Sequence, residues 1–472
     1  MQLDELELQL VVDPDAVDAA FRRACILAAL ERGDDAMQAY RSILDRTPGH
    51  FGALNNLAML MYERGARRAA LQAYTLLVER HPDSAIAHTH LAKVLHDEGR
   101  SDDAAAHYER AIALDPTAAS AHHGLATILS ERGDETAAAR ERRLGFTHRP
   151  VTFRQYRGGG DALRVLVLGV EGEGNVPLAS FLDDKLFATA SLIVEFYDSD
   201  AALPPHHVVF NAIGDADRCT LALTAANVLL AQTDAPVLNP PAAILLTGRV
   251  ANAERLGALE DVIAPRFAIF PRWLLERTEP SAALRASGFA FPILLRAPGF
   301  HTGQHFVKVE DDASLSNALQ GLPGTAVIAI EYLDTRASDG TFRKYRVIIV
   351  DGEIYPLHVA ISADWKVHYF TADMAGNASH RAQDAAFLAD PRGMLGSRAY
   401  AALERIVATL GLDYGGIDFA LDGQGNVVLF EANATMIVQP PPADEIWKYR
   451  RRPVERIIKA FQAMLRNRAA TE

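Results

Sequence analysis

Hydrophobic positions recur with two different periods along the chain, and the change falls near residue 150. Before it, apolar and small residues return every three or four positions, the pattern of helices with one buried face. Leu57-Ala58, Leu91-Ala92 and Leu125-Ala126 keep one register. Pro48, Pro82, Pro116 and Pro150 follow at intervals of 34, as do Tyr40, Tyr74 and Tyr108, and Gly65, Gly99 and Gly133. A glycine ends the first helix of each unit, and a proline stops the second. A helical hairpin of this size cannot bury its apolar face alone, so the units must stack. Three full units are expected from about Phe51 to Pro150, with a partial or capping unit from about Pro14.

Beyond residue 150 the apolar runs shorten to strand length. Residues 151–162 hold Arg157-Gly158-Gly159-Gly160-Asp161 and read as a linker. Over 163–262, runs at 164–170, 190–197, 207–214 and 236–239 alternate with helical stretches, including a helix from about Pro177 and an Ala-Leu-rich one over 219–231. That alternation predicts a parallel sheet with covering helices. Over 263–472 the runs are joined by turns instead, as at Asp351-Gly352 and at Asp422 to Asn426, and predict an α+β domain. Helices are expected over Pro391 to Leu410 and Pro453 to Arg468. The fold class is therefore multidomain: an all-α solenoid, an α/β domain and an α+β domain.

The hairpin from Gly415 to Met436 carries the most chemistry. Ile417, Phe419 and Leu421 alternate with Asp418 and Ala420, and Val427 to Phe430 form the second apolar run. Strand side chains alternate between faces, so Asp418, Ala420 and Asp422 share one face and Leu429, Glu431 and Asn433 another. A carboxylate on one strand, with Glu431 and Asn433 two apart on its partner, converges on one point. Hard oxygen ligands gathered this way suit Mg²⁺. The plain alternative is a hairpin with two solvated acids. The apolar runs beside both acids weigh against it, because a buried carboxylate without a partner is costly. Lys344 and Arg346 also lie two apart, on one strand face, and Arg296 closes an apolar strand.

Composition narrows the classes. The 472 residues carry a net charge of −13, which argues against nonspecific binding to nucleic acid or an anionic membrane. Cys25 and Cys219 are the only cysteines, without metal-ligand spacing, so a reduced, cytoplasmic setting is expected. The acidic opening residues lack a basic stretch before an apolar core, so no secretory signal is expected.

Two resemblances follow from these motifs. The 34-residue unit, with its Gly turn and following Pro, looks like the tetratricopeptide repeat. This implies that the array recruits a peptide or protein segment, with Asn55, Asn56, His88 and His122 as candidate contacts. The string GIDFALD…VVLFEAN resembles the metal-binding hairpin of the ATP-grasp carboxylate–amine ligases, and the likeness extends more weakly from about Leu163 to Phe461. It implies that Asp418, Glu431 and Asn433 hold Mg²⁺ and that ATP is the second cofactor. Arg249 and Arg296 fall where the family usually has phosphate-binding lysines, and Lys308 adds a charge. Glu331, Leu333 and Asp334 match the hinge that holds adenine and ribose, with Asp334 the ribose acid and Glu331 its alternative. Arg346, Lys344 and Arg296 would neutralise the transferring phosphoryl group, and Trp365, Lys366 and His368 match the substrate region loosely.

The chain also departs from that family. The loop over residues 299–306 keeps Gly299 and Gly303 but adds His301, Gln304 and His305, and Ala434-Thr435-Met436 replaces a Pro-Gly. The implied function is an acid–amino-acid type ligase that makes an amide bond through an acyl phosphate, with a small-molecule amine or carboxylate as the other substrate. The alternatives are a catalytically silent ATP-grasp scaffold and a ligase of two small molecules. A homodimer is compatible with either.

Overall fold

A computed structural model describes residues 13, 16–30, 32–277, 280–298, 305–369 and 372–470. The chain divides into two units, Met1–Pro150 and Val151–Glu472. In the first, helices pair as Val17–Ala29 with Gly33–Arg46, Phe51–Glu63 with Arg67–Arg80, Ala85–Asp97 with Ser101–Leu114, and Ala119–Glu131 with Glu135–His148. The segment expected as a partial cap is thus a full helical pair. Gly65, Gly99 and Gly133 have φ of 76°, 76° and 82° just past their helices, a left-handed turn that costs glycine little. Tyr40, Tyr74 and Tyr108 are buried one unit apart and fill the space between hairpins.

Of the four polar residues expected to meet a peptide, two are turned inward, and Asn55 and Asn56 are half-buried and bonded within the array. His88 and His122 are buried. The Nε2 of His88 lies 3.0 Å from the Pro82 carbonyl and its Nδ1 2.8 Å from Nδ1 of His107. His122 repeats the arrangement, with Nε2 3.0 Å from the Pro116 carbonyl and Nδ1 2.8 Å from Glu141. Asn55 meets His90 at 2.7 Å, and Asn56 donates to Tyr40 at 3.2 Å. The histidine contacts lie within one helical hairpin, and that of Asn55 with His90 spans one unit, so these groups satisfy one another.

The second unit holds three sheets. The first has the order β1 (Val151–Arg154), β3 (Phe187–Ile193), β2 (Leu163–Gly169), β4 (Val208–Asn211), β5 (Val237–Leu238), parallel except for β1. Residues 151–154, read as linker, therefore form an edge strand. The helix expected from Pro177 is absent. Asn175 there makes a bridge to Ile213, and its side chain bonds Val170 N and O at 2.9 Å, which takes up the backbone of the loop. The stretch 240–249 splits into Pro241–Leu245 and Arg249–Gly257, so Arg249 opens a new helix.

The second sheet is antiparallel, in the order β7 (Phe267–Pro271), β10 (Ala326–Glu331), β8 (Ile293–Arg296), β9 (Phe306–Val309). The third runs β12 (Glu353–Ser362), β11 (Phe342–Val350), β13 (Tyr414–Leu421), β14 (Val427–Asn433), β6 (Val262–Ile263). The last helix starts at Lys448, ahead of the expected Pro453, and ends at Ala469. Its Phe461 ring lies 4.4 Å from Phe181, 5.0 Å from Phe210 and 5.5 Å from Tyr414. One core thereby joins the first and third sheets, while the second sheet has its own. Among the described residues no helix is long and apolar enough to cross a membrane.

The histidine pair of the array predicts a pH response. Burial, then the charge of His88, lowers His107 below the ordinary value of 6.5, while Asp103 opposes this. The folded array then binds fewer protons than the unfolded chain, so its stability falls as pH drops through about 6.5. In the full chain, the thermal transition of the array should fall from pH 7.5 to 5.5 and fall less in His107→Gln. An equal fall in both proteins would reject the pair as its source.

Candidate functional site

A cleft of about 740 Å³ is lined by residues of the second and third sheets. Its floor is set by β13. Asp418 lies opposite Arg346 of β11 and Glu431 of β14, and irregularities follow Arg346 in its pairing with β12 and Asp418 in its pairing with β14. Such bulges re-aim side chains, and both fall at charged residues.

Asp418 is 1% exposed. The Nε and Nη2 of Arg346 donate to its two oxygens at 2.5 and 2.7 Å, and Lys344 Nζ stands 2.6 Å from Oδ2. Burial alone pushes the Asp418 carboxyl up, but Arg346 and Lys344 together outweigh it and hold it well below the usual carboxylate range. Burial pushes Arg346 down, and Asp418 more than restores it. Glu431 accepts from Arg249 Nη2 at 3.2 Å and from Asn433 Nδ2 at 3.0 Å. The Asn433 amide oxygen accepts from Thr435 N and Oγ1 at 3.0 and 2.9 Å. Two carboxylates and an amide oxygen are hard donors, so their chemistry fits Mg²⁺. A metal would reach Asp418 and Glu431 only in exchange for Arg346, Lys344 and Arg249.

Of the cations expected from the sequence, Arg249, Arg296, Lys344 and Arg346 all line the cleft. Burial, and then the charge of Arg249, lowers the Arg296 guanidinium to about 10, which keeps it positive at neutral pH. Lys308 is not in the lining; its Nζ pairs with Glu310 at 3.1 Å and sits 4.0 Å over the Tyr332 ring. Lys308 shares a strand face with Phe306, which does line the cleft, but its ammonium is turned to Glu310 and the Tyr332 ring. Glu331 and Leu333 line the cleft, whereas Asp334 does not and accepts from Arg336 N at 3.0 Å. Glu331 also caps Arg266 N at 3.1 Å. Gly299, His301, Gly303 and Gln304 lie outside the described residues.

Trp365, Lys366 and His368 line the cleft as well. Phe306, Tyr332 and Trp365 meet edge to face, at 5.4 and 6.3 Å between ring centroids, and form an apolar end with Leu294 and Ile330. His358 and Arg450 were not foreseen. Burial, with Arg346 and Arg450 nearby, pushes His358 far below its ordinary value, so it is neutral. Arg450 donates to Tyr369 at 2.8 Å and lies 3.8 Å from the buried Asp384, which also accepts from Tyr449 at 2.7 Å. The available signal was an arginine in register with Val454 and Ile457 on the apolar side of the last helix. Seven arginine and lysine side chains and three carboxylates line the cleft; Arg343 and Arg450 are matched by Asp339 and Asp384 outside the lining, which leaves a surplus of two positive charges in a chain of net charge −13.

Residues 6–51, 55–119 and 97–141 match the tetratricopeptide-repeat family model. The N-terminal region is a tetratricopeptide-repeat array. Solved structures with matching chains include "Crystal structure of MamA", 17% identical over 31% of this chain and 85% of that one, TM-score 0.29. MamA from Desulfovibrio magneticus RS-1 is 19% identical over 30% and 81%, TM-score 0.28. A tetratricopeptide repeat protein from Parabacteroides merdae is 18% identical over 31% and 59%, TM-score 0.29. No curated protein matches the chain. Repeats of this kind generally mediate protein–protein interactions, which is consistent with a protein partner.

The clasp on Asp418 makes a stability prediction. Arg346→Met removes both of its guanidinium contacts and leaves a buried carboxylate with Lys344 alone. Breaking a buried pair costs about 3–5 kcal/mol, so urea denaturation should show a loss of that order, with a smaller loss for Lys344→Met. Losses under about 1 kcal/mol in both would show that the cluster is solvated rather than buried.

Proposed function

We propose that the second unit binds Mg·ATP in the cleft and acts as an ATP-grasp-type ligase. It would activate a carboxylate as an acyl phosphate and pass it to an amine, with the repeat array recruiting a peptide or protein that supplies one of the two. The observation that carries this reading is the surplus of positive charge, gathered around two paired carboxylates, at the floor of a cleft whose other end is aromatic. A planar apolar group fits the Phe306, Tyr332 and Trp365 end, and a polyphosphate fits the arginine and lysine end.

Each residue then has a role. Glu331 and Leu333 border the base, next to the backbone at the end of β10. Arg249, Arg296, Lys344 and Arg346 orient the phosphates and neutralise charge that grows during transfer, which supplies most of the rate in such reactions. Asp418, Glu431 and Asn433 would hold Mg²⁺, which would supply positive charge against that of the phosphates. His358 and His368 are lowered by burial and, more weakly, by neighbouring cations including Arg346, so they leave the substrate end neutral and add no charge to repel an incoming amine. Joining the array to this unit raises the local concentration of whatever the array holds.

A second reading has independent support. In a binding scaffold, the array docks a protein and the cleft binds a ligand without turnover. The tetratricopeptide assignment supports the docking half directly, and the closure of Asp418 by two cations, with arginine at both expected lysine positions, supports the silent half.

Mg·ATP at about 100 times its dissociation constant adds roughly 2.7 kcal/mol to the folded state. Thermal stabilisation of several degrees is therefore expected, dependent on Mg²⁺ and reduced in Glu431→Gln. No shift in folded protein at saturating nucleotide would discard the nucleotide site. Where the shift occurs, ADP release that rises with an added amine supports the ligase, and its absence across amines with a bound array partner supports the scaffold.

A further inference from the structure

The charges of the cleft floor neutralise one another. On one side stand two carboxylates with the chemistry for a divalent cation, Asp418 and Glu431. On the other stand Lys344, Arg346 and Arg249, with the chemistry for phosphate. Asp418 is bound by Lys344 and Arg346 at 2.5–2.7 Å, and Glu431 by Arg249 at 3.2 Å. A phosphate entering alone must draw Lys344 and Arg346 away from a carboxylate that is 1% exposed. A divalent cation entering alone must draw that carboxylate away from the two cations. Either event leaves charge uncompensated where solvent is scarce, and that is costly.

Arrival of both removes the conflict. The cations turn to phosphate oxygens, the carboxylates turn to the metal, and every buried charge keeps a counter-charge. The neighbouring groups do not exchange with Asp418: Arg343 is held by Asp339, Arg450 by Asp384 and Tyr369, and His358 is neutral, while Arg296 is positive with or without a metal and so adds the same attraction for phosphate in both cases.

We propose that Asp418 is an electrostatic interlock: by occupying Lys344 and Arg346, it makes capture of a polyphosphate conditional on a divalent cation. The interlock rests on the reading of the cleft as a phosphate site. It adds that neither ligand binds well alone, and it names the side chain that enforces this. The coupling is reciprocal, so the metal gains as much from the phosphate as the phosphate from the metal.

The test uses the full chain with inorganic tripolyphosphate and Mg²⁺ as probes, followed by calorimetry and thermal shift. The wild type should bind tripolyphosphate at least tenfold more tightly with Mg²⁺ than without. In Asp418→Asn, tripolyphosphate alone should bind at least tenfold more tightly than in the wild type, and Mg²⁺ should add less than threefold. Lys344→Met covers the case in which Asp418→Asn fails to fold. It loosens the clasp from the other side, so Mg²⁺ alone should bind severalfold more tightly than in the wild type. The interlock is overturned if Asp418→Asn gains no affinity for tripolyphosphate alone, if Lys344→Met gains none for Mg²⁺ alone, or if the wild type binds tripolyphosphate equally well without metal. The last result would leave the phosphate site standing. Folded wild-type protein that takes up tripolyphosphate in neither condition would remove the phosphate site itself.

Discussion

A carboxylate buried at the centre of a sheet constrains everything around it. Asp418 is on β13, between β11 and β14, and the chain must supply positive charge within about 3 Å of it. The penalty for moving a carboxylate out of water is several kcal/mol even after relaxation. That penalty fixes the register of β11, because a one-residue slip would carry Lys344 and Arg346 to the opposite face. It also gives meaning to the irregularities after Arg346 and Asp418, which keep charged groups facing one cleft while Val347, Ile417 and Phe419 remain in the core. A sheet needing only stability would hold apolar residues here, since replacing a buried ion cluster with well-packed apolar side chains is often neutral or better. The cluster is therefore better explained by what the cleft must bind than by what the sheet requires.

Legibility from sequence followed the range of the determining forces. Periodic burial is a local property, so the 34-residue array could be read from Gly65, Gly99 and Gly133 and from the buried tyrosines. Alternation is equally local, which is why Lys344 and Arg346 could be placed on one face, although their closure on Asp418 was not foreseen. The failures arise where a partner lies beyond the local pattern. His88 and His122 looked available for a peptide, but their partners are the Pro82 and Pro116 carbonyls six residues back and His107 and Glu141 on the second helix of the same hairpin. Residues 151–154 looked like linker until β3 offered an edge. Asp334 lies between the lining residues Leu333 and Thr335, and a displacement of one residue is enough to lose the cleft, whereas Lys308 is drawn off by Glu310 and Tyr332. Arg450 lies far along the chain from the hairpin, and no short motif marks it.

The opposite signs of the chain and the cleft are reconciled by screening. At physiological ionic strength the Debye length is about 8 Å, shorter than the dimensions of a unit of some three hundred residues. The net charge of −13 is then felt weakly at the cleft floor, where the local surplus of positive charge sets the potential. Low-dielectric walls strengthen that local field, because Leu294, Ile330, Phe306 and Trp365 exclude water beside it. An anion is thus disfavoured over most of the surface and favoured at one place. Much of the positive charge there is already matched by Asp418 and Glu431, which keeps the floor from acting as an indiscriminate anion trap. On the proposed reading, selectivity for a ligand that carries its own divalent cation would follow from this partial neutralisation, since such a ligand can replace both halves of the existing charge pairs at once.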